Sequence, residues 1–165
     1  MRLARLLRHL LAGTWTTRRA FPAAALDRIE AAIAASEARH AGQVRFAVEA
    51  ALHPLAVWHG VSAKDRALEV FSSLRVWDTE HNSGVLVYLL LADRDVEIVA
   101  DRGIHRRVGE AGWQSICSDM EGHFRAGRFE QGVVEGIERL CTLLAAHFPR
   151  AAAGANELPD RPVVL

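Results

Sequence analysis

Two polar residues, Asn82 and Asp101, stand at the two ends of a segment that is otherwise largely apolar. Asn82 lies two residues before the run GVLVYLLLA, Asp101 directly follows the run VEIVA, and the short acidic turn 93–95 separates the runs. A short turn between two such runs predicts a β-hairpin, which brings its two ends together. An amide oxygen and a carboxylate at one sheet edge could hold a cation or a small anion.

Both residues also have structural interpretations, which the residue pattern leaves open. Asn82 could hold the turn before the strand, because Asn bonds its own backbone and tolerates left-handed conformations. Asp101 could cap the following turn, with Gly103 supplying a positive φ and His105 being exposed or starting a helix. The residues 93–95 are interpreted as a charged hairpin turn, since Asp-rich tight turns need no function.

Other catalytic and ligand patterns are missing or have simpler explanations. The sequence contains no dinucleotide fingerprint, phosphate-binding loop, nucleophile elbow or HExxH helix, and we expect no organic cofactor. Its eight histidines have unrelated spacings, which does not indicate zinc. Cys117 and Cys141 lie on or beside apolar stripes, so a structural role is favoured over nucleophilic catalysis. Glu49 is interpreted as an ion-pair partner of Arg45 on a strand face rather than as a ligand.

The elements that must position these residues follow from apolar periodicity. Residues 22–42 predict a helix, and residues 43–50 alternate as a half-covered strand does. Ser62 and Asp65 form a capping-box pattern at the start of a helix expected to end near residue 78. That helix is predicted to carry Leu68, Phe71 and Leu74 inward.

The second half of the chain predicts a central strand, its hairpin partner and two final helices. The run GVLVYLLL has no polar face, which is typical of a strand covered on both sides. Two apolar stripes at helical spacing follow residue 103. A strand, a crossover helix and a second strand imply a parallel pair, while the hairpin makes the third strand antiparallel. The fold class is therefore α/β with a mixed sheet.

The N-terminal segment predicts a basic amphipathic helix. Its leucines recur at helical spacing and its arginines occupy the other face. Docking on the domain's own surface is the favoured interpretation, and the alternatives are contact with an anionic membrane surface or with a protein partner. We divide the chain into this helix and connector (1–20), one domain (21–149), and a tail rich in Ala, Gly and Pro (150–165), which we expect to be disordered.

Composition excludes several classes of function. Twenty basic and twenty acidic residues give a formal net charge of zero without a dense basic cluster, so nucleic acid is not an expected partner. The longest apolar run, 85–92, is far shorter than the roughly 20 residues of a membrane-spanning helix. Arginines interrupt the leading apolar segment, which argues against a signal peptide. With only two cysteines, the chain fits a reducing compartment, and we expect a cytoplasmic location.

The sequence resembles the TPM domain family, named for a thylakoid lumen protein, a photosystem II repair factor and an acetylcholine-receptor accessory protein. The resemblance extends over residues 24–148 and rests on HNSGVLVYLLLADRDVEIVADRGI and FRAGRFEQGVVEGI. It implies a three-layer α/β/α sandwich around a small mixed β-sheet. The family often has Gly-Tyr-Gly-Leu-Glu after the third strand, where this chain has Asp101-Arg102-Gly103-Ile104-His105. Many bacterial relatives also carry a signal peptide and a membrane segment.

Some members of that family bind calcium or show weak acid-phosphatase activity, which implies a divalent-cation site here. Ca²⁺ takes six to eight oxygen ligands. The candidate ligands at the sheet edge are Asn82, Asp101, Asp78, Glu80 and Glu110, together with loop carbonyl oxygens.

Three functions from different classes remain open. They are a non-catalytic module that binds a protein or a membrane-associated complex, a weak metal-dependent phosphatase, and a calcium-responsive binding module. We prefer the first, with the N-terminal helix as the contact to a protein partner, peripheral membrane contact as its variant, and cation binding as an additional property.

Overall fold

The computed structural model describes residues 2–150 and 156–165, with Arg2 described by its backbone alone. The described elements, in chain order, are α1 (Arg2–Leu11), α2 (Thr14–Ala20), α3 (Ala23–Glu37), β1 (Gln43–Glu49), α4 (Pro54–Trp58), α5 (Ala63–Ser73), β2 (Gly84–Leu90), β3 (Asp95–Ala100), α6 (Arg102–Val108), α7 (Glu110–Arg125), α8 (Phe129–His147) and β4 (Val163–Val164). No described helix is both long enough and apolar enough to cross a membrane.

The four strands form one mixed sheet in the order β3-β2-β1-β4. β1 pairs in parallel with β2 and with β4, whereas β2 and β3 form the predicted antiparallel hairpin. β1 and β2 are therefore the central strands, which explains why the run in β2 is apolar at every position: both of its faces are covered.

Helices cover the sheet on both faces and make the predicted three-layer α/β/α sandwich. On one face α3, α7 and α8 pack over the odd-numbered residues of β2 and the even-numbered residues of β1, with Phe46 and Phe124 among the fully buried side chains. On the other face α4 and α5 pack over Ala47, Leu86 and Tyr88. One apolar cluster therefore lies on each side of the sheet.

Two packing predictions are wrong in detail. β1 is not half-covered: Arg45 is only 8% exposed and Ala47 is fully buried, because α4, α5 and the C-terminal segment cover that face. Helix α5 does not turn Leu68 inward, since that side chain is 52% exposed and the smaller Ala67 and Val70 contact the sheet instead. The helix packs close to the sheet through these short side chains.

The C-terminal segment differs from the expected disordered tail. Residues 151–155 lie outside the described part, but β4 adds to the outer edge of β1. The side chain of Gln43 accepts hydrogen bonds from the backbone N–H groups of Glu157 and Leu158, at 2.7 and 3.1 Å, and Leu158 is 7% exposed. The guanidinium of Arg45 donates to the carbonyl oxygens of Pro159 and Arg161. Side chains of β1 thus hold this segment in place.

Candidate functional site

The beginning of β2 and the end of β3 meet at one sheet edge, as the hairpin predicts. The N–H of Asp101 donates to the carbonyl oxygen of Gly84 at 2.9 Å. The carbonyl oxygen of Asn82 lies beside Gly103, where a Cβ atom would be only 2.9 Å from it. Asn82 and Asp101 are therefore neighbours through their backbones.

Asp101 is the N-cap residue of α6. One oxygen, Oδ1, accepts a hydrogen bond from the N–H of Arg102 at 2.6 Å, and the carbonyl oxygen of Asp101 accepts from Ile104 and His105 at 3.0 and 2.9 Å. The second oxygen, Oδ2, is buried and has no hydrogen-bond partner among the described residues. The cap interpretation therefore accounts for one side-chain oxygen and leaves the other unsatisfied.

Asn82 has the geometry of a turn residue. Its φ is 51°, in the left-handed region that Asn tolerates, and its N–H donates to the carbonyl oxygen of Thr79 at 3.2 Å. The Thr79 hydroxyl accepts from the N–H of Ser83 at 2.8 Å. These bonds close the loop before β2, so the shape of the loop explains the presence of Asn82.

The other three predicted ligands occupy different surroundings. Asp78 is exposed, and its N–H donates to Arg75; Glu80 is exposed, and its N–H donates to the Glu157 carboxylate at 2.7 Å. Glu110 lies in the groove beside β3, where its carboxylate is 3.9 Å from the Lys64 ammonium.

The described residues do not by themselves fit a calcium ion. None of their His, Cys, Asp and Glu side chains gather in a group of three or more that could hold a metal. Asp101 Oδ2 supplies one unsatisfied buried oxygen, whereas Ca²⁺ requires six to eight. We derive no chemical step through a metal, and the cation stays a prediction.

A second polar cluster, which we call the α1 anchor, involves Arg5, Arg8, His9 and Asp93. The Asp93 carboxylate accepts from Arg5 Nε at 2.8 Å, Arg8 Nη2 at 3.0 Å and His9 Nε2 at 3.1 Å. His9 is buried, and its Nδ1 accepts from the N–H of Leu52 at 3.0 Å, so the neutral ring carries its proton on Nε2 and donates to Asp93. Burial alone would raise the pKa of Asp93, but hydrogen bonds from Arg5 and His9 hold it below its ordinary value.

The α1 anchor turns most of the apolar side of α1 away from the domain. Arg5, His9 and the partly buried Leu6 face the domain, whereas the other four leucines face outward. We call the outward side the α1 apolar face, which consists of Leu3, Leu7, Leu10 and Leu11, with exposures of 68, 51, 56 and 75%. Sequence reasoning found the amphipathic pattern but missed Asp93, which was assigned only to a charged turn.

Three further ionisable groups, Glu49, Tyr88 and Cys117, are held by hydrogen bonds or by burial. Glu49 does not pair with Arg45; its carboxylate binds Arg66 of α5 at 2.9 Å and accepts from the Tyr88 hydroxyl at 2.7 Å. Burial and the bond to Glu49 raise the pKa of Tyr88. Burial, followed by repulsion from Glu97, raises the pKa of the Cys117 thiol to about 12, so this cysteine is not a ready nucleophile.

Comparison with known proteins agrees with this architecture. The chain has the architecture of an α/β/α sandwich domain, with a four-stranded mixed sheet and the N-cap residue of α6, Asp101, at the end of β3. The family model of the TPM domain matches residues 17–143, and the chain belongs to the TPM domain family. The NMR structure of the BA42 protein from the psychrophilic bacterium Bizionia argentinensis sp. nov. is similar, with a TM-score of 0.77 and 29% identity over 87% of this chain and 94% of that chain. No curated protein matches.

Proposed function

We propose that this TPM domain is a non-catalytic binding module that attaches to a protein partner through the α1 apolar face. The observation that carries the proposal is the orientation of α1. Four leucines are turned away from the domain while the basic side of the same helix is bonded to Asp93. Contiguous exposed apolar side chains of this kind are typical of interaction surfaces.

The spacing of these leucines suits a helical or grooved apolar surface on the partner. Leu3, Leu7 and Leu10 recur at i, i+4 and i+7, which is the anchor pattern of a helix that packs in a groove. Because the α1 anchor fixes the helix on the domain, its ordering is not an additional cost of binding. Such preorganisation favours affinity.

A protein surface fits this face better than an anionic lipid surface does. Interfacial helices bind lipid headgroups through the Lys and Arg side chains of their polar face. In α1, Arg5 and Arg8 are both bonded to Asp93, with side chains that are 23 and 59% exposed. The cationic group of Arg5 is therefore engaged by the domain, and Arg8 alone leaves a small basic contribution for a lipid headgroup.

The test compares the full chain with the double substitution Leu7→Glu/Leu10→Glu. Leu68→Glu is the matched control, because Leu68 is about equally exposed but lies on α5. A protein captured by the full chain is identified by mass spectrometry and purified. The purified partner is then mixed with purified wild type, double variant or control. We expect the purified complex to form with wild type and with the control and to be lost in the double variant.

Two results would overturn the proposal. One is a reconstituted complex that the double variant forms equally well. The other is flotation of the wild-type chain, but not of the double variant, with phosphatidylglycerol vesicles in the absence of the partner, which would identify the face as a membrane contact.

A divalent-cation site at Asp101 is the second candidate function, supported by the unpartnered Oδ2. Its test is calorimetric titration with Ca²⁺, Mg²⁺ and Mn²⁺, with Asp101→Asn as the comparison. Hydrolysis of a phosphomonoester with and without these ions tests the phosphatase alternative, which the family resemblance alone supports. A cytoplasmic location belongs to the same proposal, supported by the free thiols of Cys117 and Cys141.

A further inference from the structure

The outer edge of β1 carries two polar side chains that the segment 156–165 covers. Gln43 and Arg45 are 7 and 8% exposed, and their side-chain hydrogen bonds to described residues all go to backbone N–H and C=O groups of that segment. A buried polar group that loses its partner costs free energy, so both side chains require an extended chain beside them. We call this edge, with Gln43 and Arg45, the β1-edge site.

The segment 156–165 is attached to the β1-edge site in the manner of a bound peptide. Of its ten side chains only those of Leu158 and Pro162 are buried, and its ladder with β1 consists of the two residues of β4. The bonds from Gln43 and Arg45 also go to its backbone. Backbone pairing with a few side-chain anchors is the recognition mode of peptides that add a strand to a sheet edge.

The side chains of the segment define what the site recognises. The Glu157 carboxylate accepts a backbone N–H of the loop before β2 at 2.7 Å, and Leu158 joins the apolar cluster on the side of α4 and α5. Burial lowers the pKa of Arg45, and the Asp160 carboxylate acts in the opposite direction. Pro162 fixes its own φ, which reduces the conformational freedom lost on binding. The site therefore fits the pattern Glu-Leu-x-Asp-x-Pro-Val.

We propose that the β1-edge site docks an extended segment of a partner protein that has this pattern, and that residues 156–165 are its tethered competitor. A partner segment would make the same contacts, so it has to overcome only the effective concentration of the tethered one, which is of the order of millimolar for short linkers. This site lies on different elements from the α1 apolar face, so it goes beyond the proposed function and either can fail independently.

A partner protein is a more effective occupant than a second copy of this chain. A second copy offers the same segment, but that segment already occupies the β1-edge site of its own domain. Exchange between two copies replaces identical contacts and gains none. A partner whose segment has no site of its own does not bear the cost of releasing it.

The test measures whether loosening the tethered segment opens the site. The probe is a fluorescent, acetylated peptide with the sequence NELPDRPVVL, which is that of residues 156–165. It is titrated against three forms of the full chain: wild type, Leu158→Asp, and the matched control Leu165→Asp, whose side chain is 43% exposed on the same segment. Fluorescence anisotropy measures affinity, and NMR follows the amides of β1.

We expect the peptide to bind Leu158→Asp at least about tenfold more tightly than wild type or Leu165→Asp. An occupied site lowers the apparent affinity in proportion to the fraction that is free, and Leu158→Asp removes the main apolar anchor of the competitor while leaving the site intact. The amides of β1 should shift on binding. A peptide with Asp in place of its own Leu at the third position should not bind.

N-methylation of the peptide tests the backbone contacts. Methylation of the Leu at its third position removes the N–H that Leu158 donates to Gln43 at 3.1 Å. Methylation of its second Val is the control: the N–H of Leu165 bonds to the Val48 carbonyl oxygen, so by alternation the preceding N–H points away from β1. We expect the first peptide to lose at least about tenfold in affinity for Leu158→Asp and the second to keep it.

Several results would overturn the proposal. They are no saturable binding to Leu158→Asp, equal affinity for Leu158→Asp and wild type, and equal effects of the two methylations. If Leu158→Asp does not fold, Leu158→Ala replaces it, and unfolding of both would show that the segment belongs to the core. Dimerisation of wild type that rises with concentration and is lost in Leu158→Asp would identify a second copy as the occupant and refute a separate partner.

Discussion

The α1 anchor predicts that a single carboxylate controls the docking of the N-terminal helix. The substitution Asp93→Ala removes the acceptor of three hydrogen bonds. The buried His9 Nε2–H and the Arg5 guanidinium then lose the carboxylate to which they donate. The side chains of Asp93, Arg5 and His9 are 11, 23 and 0% exposed, whereas that of Arg8 is 59% exposed.

The burial of these side chains sets the expected magnitude. A buried hydrogen bond to a charged group contributes about 1.5–3 kcal/mol, and an exposed ion pair such as the one to Arg8 contributes about 0–1 kcal/mol. Allowing for partial solvation of Arg5, Asp93→Ala should cost about 3 kcal/mol of α1 docking. The free energy of global unfolding should fall by no more than the docking free energy, because a released α1 leaves the rest of the domain folded.

Native-state hydrogen exchange of the α1 amides measures this cost. A loss of about 3 kcal/mol should accelerate their exchange roughly a hundredfold, with little change in the core amides of β2. Asp93→Asn retains an acceptor and should show a smaller effect. The control Glu69→Gln, which removes a 62% exposed partner of Arg66, should leave α1 exchange unchanged.

The same cluster fixes the direction of the pH dependence. Because the pKa of Asp93 is lowered on folding, its contribution is present above the ordinary pKa of Asp and is lost as pH falls through the lowered value. Acid should therefore release α1. Unchanged α1 exchange in Asp93→Ala would refute the reasoning and would mean that apolar packing by Leu6 holds the helix instead.

Four further predictions concern the domain itself. A chain beginning at Phe21 should remain folded with one cooperative melt, since both apolar clusters lie almost entirely within the remaining residues; loss of cooperativity would contradict this. Gly103→Val should lower the melting temperature clearly, because its Cβ would lie 2.9 Å from the Asn82 carbonyl oxygen, and an unchanged melt would be evidence against that contact. Asp101→Ala should lower the free energy of unfolding by about 1 kcal/mol through loss of the cap, and Asp101→Asn should lower it little, with or without Ca²⁺. A calcium-dependent rise in the wild-type melting temperature that Asp101→Asn abolishes would favour the cation site instead. Burial raises the pKa of Glu37 to about 7, so the stability of wild type relative to Glu37→Gln should decrease from pH 4.5 to 7 by up to about 3 kcal/mol in urea titrations, and a constant difference would show that Glu37 titrates normally.

The central part of the fold is predictable because its signals are local. Ser62 and Asp65 make the predicted capping box, with the Ser62 hydroxyl accepting from the N–H of Asp65 at 3.1 Å. The apolar run of β2 and the turn after it specify the hairpin, and the hairpin brings Asn82 beside Asp101.

Features that depend on distant partners are not visible in local patterns. Amphipathicity identifies α1 but not its inward side, which Asp93 determines from more than eighty residues away. Gly103 illustrates the same limit: it was expected to need a positive φ, but it lies in α6 and is required because the Asn82 carbonyl oxygen approaches it. The unpartnered Oδ2 of Asp101 follows from the position at which α6 begins, because Asp101 caps that helix through its other oxygen, Oδ1.

The position of β4 has a consequence for the order in which the chain is made. β4 follows β1 by more than a hundred residues, yet it is the partner that covers the outer edge of β1. During synthesis on the ribosome, the outer edge of β1 stays unpaired until β4 has been made, after α4 to α8. Unpaired strand edges are templates for aggregation. The positive charge of Arg45 on this strand, which later binds carbonyl oxygens of the C-terminal segment, would meanwhile discourage pairing with another nascent chain.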